Sequence, residues 1–299
     1  MQKYRSGFIA VMGRPNVGKS TLMNALLQQK IAAVSPKPQT TRFQQFGILT
    51  LDKAQLIFVD TPGLHHPHHR LGEYMNEGAQ KALNDADMGL LIVDGSTIPP
   101  HEEDHLILDV LAEIDPAPPM VMAMNKIDKL TGDETHEHSA TYHDLLPDAE
   151  LIPISATRGD NLNRLVETLI EYVPEGPPLF PADQVTDLFE RDIAADMIRA
   201  AAMVHLRDEV PHAIAVRIDE YKERNEKGAY IAATLFVERE SQKAIVIGRE
   251  GTMIKQIGTT ARKEIEEMSG RKVYLKLRVK VRKNWRNDEQ ALRLFGFKK

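Results

Sequence analysis

The feature that most constrains this chain is Gly13-Arg14-Pro15-Asn16-Val17-Gly18-Lys19-Ser20, set between an apolar run at residues 8–12 and a helix-like stretch at residues 21–29. Glycines at this spacing let backbone N–H groups wrap a phosphate chain, and the helix that follows adds its positive N-terminal end. Lys19 is placed to reach β- and γ-phosphates, and the Ser20 hydroxyl to ligate Mg²⁺. An ordinary strand-turn-helix is the alternative; the buried strand before the loop and the helix after it favour a phosphate-binding loop spanning Gly13 to Thr21.

Three further motifs follow at the ends of apolar runs. Residues 56–59 lead into Asp60-Thr61-Pro62-Gly63, about 40 residues after the loop. There a carboxylate can hold the Mg²⁺ water shell and a glycine N–H can meet a γ-phosphate. Residues 120–124 lead into Asn125-Lys126-Ile127-Asp128. Asp128 can accept two hydrogen bonds from guanine N1–H and its exocyclic amine, which adenine does not offer, while Asn125 and Lys126 brace the loop and cover the base. Residues 151–154 lead into Ser155-Ala156, suited to a backbone contact with the guanine oxygen. Four motifs in this order, on strands alternating with helical segments, imply a GTP/GDP site at the carboxyl edge of a mostly parallel sheet with helices on both faces.

The hydrolytic parts are less explicit. Pro38-Gln39-Thr40-Thr41-Arg42 is the polar segment where a second Mg²⁺ hydroxyl is expected, from Thr41 or alternatively Thr40. Leu64 stands where Ras-like GTPases place a glutamine, and a leucine cannot orient water by hydrogen bonding. Charge compensation must then come from a partner's arginine or a bound cation. The Asn16 carboxamide could ligate K⁺ beside the phosphates, so K⁺-stimulated hydrolysis is expected. The expected catalytic set is Asn16, Lys19, Thr41 and Gly63, with Ser20, Thr41 and Asp60 as the metal set. His65, His66, His68 and His69 invite a metal-site reading, but a Pro-interrupted loop with no carboxylate beside it reads better as a solvated, mobile switch segment, with a catalytic part for His65 still open.

Composition bounds the rest. The 299 residues suggest two domains, and 42% hydrophobic side chains can fill two cores. The absence of cysteine excludes disulfides, thiolate metal sites and cysteine nucleophiles. No apolar run is long enough to span a membrane and no cleavable leader is visible, so a soluble, cytoplasmic protein is expected. The formal charge of −5 hides an asymmetry: residues 1–180 carry net −10 and residues 181–299 net +5. Between them, residues 173–185 crowd Pro174, Gly176, Pro177, Pro178 and Pro181 and read as a linker. The expected division is a nucleotide-binding domain at 1–175, a linker at 176–185 and a second domain at 186–299.

The second domain reads as helix, two alternating strands, helix, the loop Gly248-Arg249-Glu250-Gly251, helix and strand. This order, with GxxG between two helices, resembles the bacterial, type II KH domain, a small α+β unit whose loop clamps single-stranded RNA. Residues 271–286 hold eight basic and no acidic side chains. Alternation puts Val273, Leu275, Leu277, Val279 and Val281 on one face and Lys272, Tyr274, Lys276, Arg278, Lys280 and Arg282 on the other. A solvated face is the bland reading; cations aligned on one strand are better explained by phosphate contact. The candidate RNA-binding set is Gly248, Arg249, Glu250, Gly251, Lys255, Arg262, Lys263, Lys280 and Arg282, although Glu250 repels phosphate.

GRPNVGKS, PQTTR, DTPGL, NKID and SA, joined to a unit carrying VIGREGTMIKQIG, make the chain resemble the Era family over nearly its whole length. The resemblance implies a GTPase of ribosome assembly that binds small-subunit ribosomal RNA near its 3′ end and associates with the small subunit. It also implies a peripheral contact with the inner face of the cell membrane. The family lacks the Ras-type glutamine, in agreement with Leu64. The other reading is a GTPase for RNA processing or modification that uses the basic half only for docking; no cysteine or cofactor motif supplies its chemistry. A monomer is expected.

Overall fold

The computed structural model describes residues 3–35, 37, 40–63, 69–98, 100–225 and 228–297. It divides into two compact units: residues 1–29, 41–66 and 75–187 form the first, and residues 30–40, 67–74 and 188–299 the second.

The first unit is a six-stranded sheet in the order β2-β3-β1-β4-β5-β6. Its strands are β1 (Arg5–Met12), β2 (Gln45–Thr50), β3 (Ala54–Asp60), β4 (Met88–Asp94), β5 (Met120–Asn125) and β6 (Glu150–Pro153). All neighbours pair in parallel except β2, which runs antiparallel beside β3. Every residue of β3 and β4 is buried, which explains why these strands read as unbroken apolar runs rather than alternating ones. The helices are α1 (Lys19–Leu27), α2 (Arg70–Asn84), of which the residues from Met75 on belong to this unit, α3 (Glu102–Ala112), α4 (Gly132–His143) and α5 (Leu162–Tyr172). The carboxyl ends of β1, β3, β4 and β5 therefore open on one edge, at Met12, Asp60, Asp94 and Asn125. Among the described residues no helix is long and apolar enough to cross a membrane.

The proline-rich stretch lies against the first unit as a strap. Ser6 N–H donates to the Pro174 carbonyl and Ser6 Oγ to that of Pro177, while Ile48 N–H donates to Val185. Gln55, fully buried, donates to the Phe180 carbonyl at 2.9 Å and accepts from Leu179 and Phe180 N–H at 2.7 and 2.9 Å. The Phe180 ring meets Phe8 and Phe46 edge-on. The change from one unit to the other thus falls after Asp187, beyond the proline cluster that marks it in the sequence.

The second unit runs α6 (Glu190–His205), β7 (Ala215–Asn225), β8 (Gly228–Val237), α7 (Glu240–Ile247), α8 (Thr252–Ser269) and β9 (Lys272–Val281), closed by α9 (Glu289–Leu294). β7 and β8 pair antiparallel, and β9 returns parallel to β8 because two helices intervene. Ile231, Ala233, Leu235 and Val273 face a core with Ile193, Met197, Ile257 and Ile265 of the helices. Beyond β9, Trp285 is fully buried and donates Nε1–H to the Ala213 carbonyl at 2.8 Å.

Replacing Gln55 by leucine should leave three backbone groups of the strap without their partner. Because they can regain water, the expected loss is about 2 kcal/mol, read from a urea midpoint, with faster proteolysis near Phe180. Unchanged stability and cleavage would assign the strap to Phe180 packing instead.

Candidate active site and nucleic-acid interface

The phosphate loop is built from backbone that only particular residues adopt. Gly13 and Gly18 sit at φ 150° and 107°, and Asn16 at φ 65°. A Cβ on Gly13 would lie 2.4 Å from the Ile92 carbonyl oxygen, and one on Gly18 would lie 2.3 Å from Asn125 Nδ2. Gly18 caps α1 without a side chain, and no acidic residue occupies the first turn, so the N-terminal amides remain directed into the loop. Lys19 donates to the Gly13 and Arg14 carbonyls at 2.6 and 3.0 Å, which holds its ammonium over the loop.

Three oxygens converge beside it. Ser20 Oγ and Thr41 Oγ1 lie 3.1 Å apart, and each is within 3.3 Å of Asp60 Oδ2. Thr40 turns away and donates to the Lys37 carbonyl. Gln45 approaches the same carboxylate at 3.5 Å. Asp60 Oδ1 is buried with no hydrogen-bond partner among the described residues. Two hydroxyls and a carboxylate with an unsatisfied oxygen are the hard donor set that suits Mg²⁺. Burial pushes the Asp60 carboxyl up to about 6 and the Lys19 ammonium down to about 8, although each charge favours the other. Such displaced carboxylate and ammonium groups mark a site that gains from the opposite charges of a metal and a phosphate chain. Thr61 donates to the Val11 carbonyl, and the backbone at Pro62-Gly63 passes so close to the phosphate loop that a Gly63 Cβ would lie 3.0 Å from Pro15 N.

Asn125 clamps the loops together. Its Nδ2 donates to the Val17 carbonyl at 2.8 Å, and its Oδ1 accepts the Ala156 N–H at 3.0 Å. The Ala156 amide, expected at the guanine oxygen, is thus engaged by Asn125 in this structure. Lys126 Nζ donates to the Asn16 carbonyl at 2.7 Å and to Asp94 Oδ2 at 2.6 Å. Ser155 Oγ donates to Asp128 Oδ1 at 2.7 Å, fixing the carboxylate that would read the base. Asp94 was not among the expected residues, although it ends an apolar strand as Asp60 does. Its carboxyl is held below the usual range despite burial, because Lys126 and Ser96 bond to it. The Arg14 guanidinium turns to Asp104 and Asp94, at 3.4 and 3.7 Å, so what Arg14 offers the loop is its backbone, whose carbonyl accepts from Lys19. Pro38, Gln39, Leu64, His65, His66 and His68 lie outside the described residues. Among those described, no cluster of His, Cys, Asp or Glu suits a metal ion.

In the second unit, Gly248 and Gly251 both have positive φ, 73° and 76°, and a Cβ on Gly248 would strike Met253 N at 2.7 Å. Arg249 and Glu250 are exposed between them, and Lys255, Arg262 and Lys263 are exposed on α8. β9 shows the expected alternation, with its basic residues and Tyr274 outward. The cations are unequal, however. Arg271 is held by Glu190 and Glu223, Arg282 by Asp288 at 3.4 Å, and Arg286 by Glu238 at 2.7 Å. Lys276, Arg278 and Lys280 have no acidic group within ion-pair distance among the described residues.

Residues 8–126 match the family model described as 50S ribosome-binding GTPase, and residues 209–286 match the KH domain model. GTPase Era of Geobacter metallireducens is 46% identical over 98% of both chains. GTPase Era of Heliobacterium modesticaldum is 44% identical over 99% of this chain and 98% of its own. A crystal structure of Era with MgGDPNP and nucleotides 1506–1542 of 16S ribosomal RNA superposes with TM-score 0.92 at 40% identity, covering 98% of this chain and 99% of that one. An Aquifex aeolicus Era variant bound to GDP·AlF₄⁻ gives 0.91 at 41% identity, with the same coverage. With its nucleotide site, its KH unit and relatives matched end to end, the chain belongs to the Era family of GTPases.

Proposed function

We propose that this GTPase is a switch that binds small-subunit ribosomal RNA near its 3′ end and serves assembly and processing of the small subunit. The observation that carries the reading is the convergence of Ser20, Thr41 and Asp60 beside Lys19, in one chain with a GxxG unit. The relative that superposes over nearly its whole length holds a magnesium-bound GTP analogue and 16S ribosomal RNA together, which supports transfer of both ligands.

In this reading Lys19 and the amides of Gly13 to Thr21 bind the β- and γ-phosphates, with the helix end adding to the field. Ser20, Thr41 and Asp60 hold Mg²⁺, which when bound neutralises charge on the phosphate oxygens. Gly63 N–H meets the γ-phosphate and links its presence to the loop that follows. Asp128, oriented by Ser155, selects guanine, while Asn125 and Lys126 keep the base loop registered on the phosphate loop. A leucine at position 64 cannot itself orient the attacking water by hydrogen bonding, so charge compensation would come from a partner or from K⁺ held at Asn16. Gly248 to Gly251, with Lys255, Arg262, Lys263, Lys280 and Arg282, form the RNA-binding set. This activity belongs in the cytoplasm, and any contact with the inner face of the cell membrane is peripheral.

Asp128→Asn should weaken guanine nucleotide affinity at least 100-fold and raise affinity for xanthine nucleotides, measured by calorimetry, because a carboxamide can donate where xanthine carries oxygen. Initial hydrolysis rates should be higher in K⁺ than in equal Na⁺; equal rates would remove Asn16 from the catalytic set. Gly251→Asp adds negative charge to the clamp and strains its left-handed backbone at φ 76°, although its Cβ would meet no atom closer than Ile254 Cγ2 at 4.0 Å. It should weaken binding of a 16S 3′-end oligonucleotide at least tenfold, and unchanged affinity would overturn the KH reading.

A further inference from the structure

The sheet of the second unit has one face against α6 and α8, and its other face carries features the GxxG clamp does not use. On that outer face the register sets Tyr230 beside Tyr274, Ala232 beside Lys276, Thr234 beside Arg278 and Phe236 beside Lys280. The two tyrosine rings stack across the strands, 5.7 Å between centroids and 14° between planes. Tyr274 nevertheless remains 65% exposed, an unusual state for an aromatic ring on a sheet. At the other end Phe236 is buried against Phe295, so the C-terminal segment covers the apolar side chain there and leaves the tyrosine end open.

Charge on this face is one-sided. Asp219 is engaged by Arg217 and Thr234 and also feels the more distant charge of Lys280, and Glu220 is engaged by Lys222, so the acidic groups of β7 have local partners. Lys276, Arg278 and Lys280 have none within ion-pair distance among the described residues, and all three are exposed. Successive outward residues on one strand are spaced about 7 Å apart, so the row from Tyr274 to Lys280 extends about 20 Å. An exposed aromatic platform continued by a row of exposed cations is the combination that binds single-stranded nucleic acid: bases stack on rings, and the backbone follows the positive charges.

We propose that the outer face of this sheet, from the Tyr230–Tyr274 stack along Lys276, Arg278 and Lys280, is a second binding surface for single-stranded RNA, separate from the GxxG clamp. The proposal rests on the second unit being an RNA binder and adds a second track to it. An RNA strand held in the GxxG loop would carry flanking nucleotides, and this face takes unpaired bases with little regard to sequence, since every base offers a stacking face. Lys280, grouped above with the clamp, belongs to this track, whereas Arg282 is turned to Asp288 and does not.

The test uses the full chain and a single-stranded RNA of about 20 nucleotides containing 4-thiouridine, photocrosslinked at saturation and mapped by peptide mass spectrometry. Adducts are expected in two groups, one at residues 248–255 and one at Tyr230, Tyr274 and the outward residues of β9. Adducts confined to residues 248–255 overturn the second surface and leave the RNA-binding reading intact; adducts on neither overturn both. In parallel, Tyr274→Ala should weaken affinity for the same RNA about tenfold. Replacing Lys276, Arg278 and Lys280 together by glutamine should reduce the slope of log affinity against log salt by about 2. Unchanged affinity in the first variant and unchanged slope in the second, with both melting as the parent does, also overturn the surface.

Discussion

The nucleotide site depends on the carboxamide of Asn125. It bonds the Val17 carbonyl on one side and the Ala156 amide on the other, and its nitrogen occupies the space that a Cβ on Gly18 would need. Phosphate loop, base loop and the Ser155-Ala156 turn are distant in sequence, yet this one buried side chain sets their spacing. Its two bonds are made inside the protein, where each unpaired partner would cost about 1–3 kcal/mol. The loop that carries Asp128 is therefore held in register with the phosphate loop at Val17 and Gly18. Lys126 repeats the link from outside, bridging the Asn16 carbonyl to Asp94.

The same economy explains why an acidic unit can hold a polyanion. The first 180 residues carry net −10, so no general positive field attracts phosphate. What the unit offers to phosphates is local: oriented amides, one buried ammonium, and an oxygen set fit for a divalent ion. Asp60 illustrates the principle. An isolated carboxylate at 0% exposure is disfavoured, and its upward displacement measures that. Two hydroxyls and Lys19 recover part of the loss, and the unpartnered Oδ1 leaves capacity for a further positive group.

Much of this was legible in the sequence, because each motif is short, contiguous and placed at the end of an apolar strand. Strand–loop–helix order, the carboxyl edge of the sheet, the choice of Ser20, Asp60 and Asn125 and the alternation of β9 all follow from local pattern. What local pattern could not show are pairings across long stretches of chain. The proline cluster reads as a spacer until Gln55, about 125 residues earlier, is seen bonding Phe180. Nothing near Arg14 in the sequence shows that two carboxylates from β4 and α3 claim its guanidinium. Asp94 carries the same signal as Asp60 and lacks only a familiar motif around it.

Charge counting meets the same difficulty in the basic unit. Eight cations between residues 271 and 286 suggest one continuous positive strip, and for long-range attraction of a polyanion that is a fair description. Contact is another matter. Arg271, Arg282 and Arg286 hold the unit's own carboxylates, two of them across elements distant in sequence, and the Arg271 fork grips both oxygens of Glu190. Lys272 also lies within 3.8 Å of Glu266, while Lys276, Arg278 and Lys280 are exposed with no carboxylate within ion-pair distance among the described residues. Net charge says that the unit meets a polyanion; only the pairing of each cation says where, and it points along β9 toward the two stacked tyrosines.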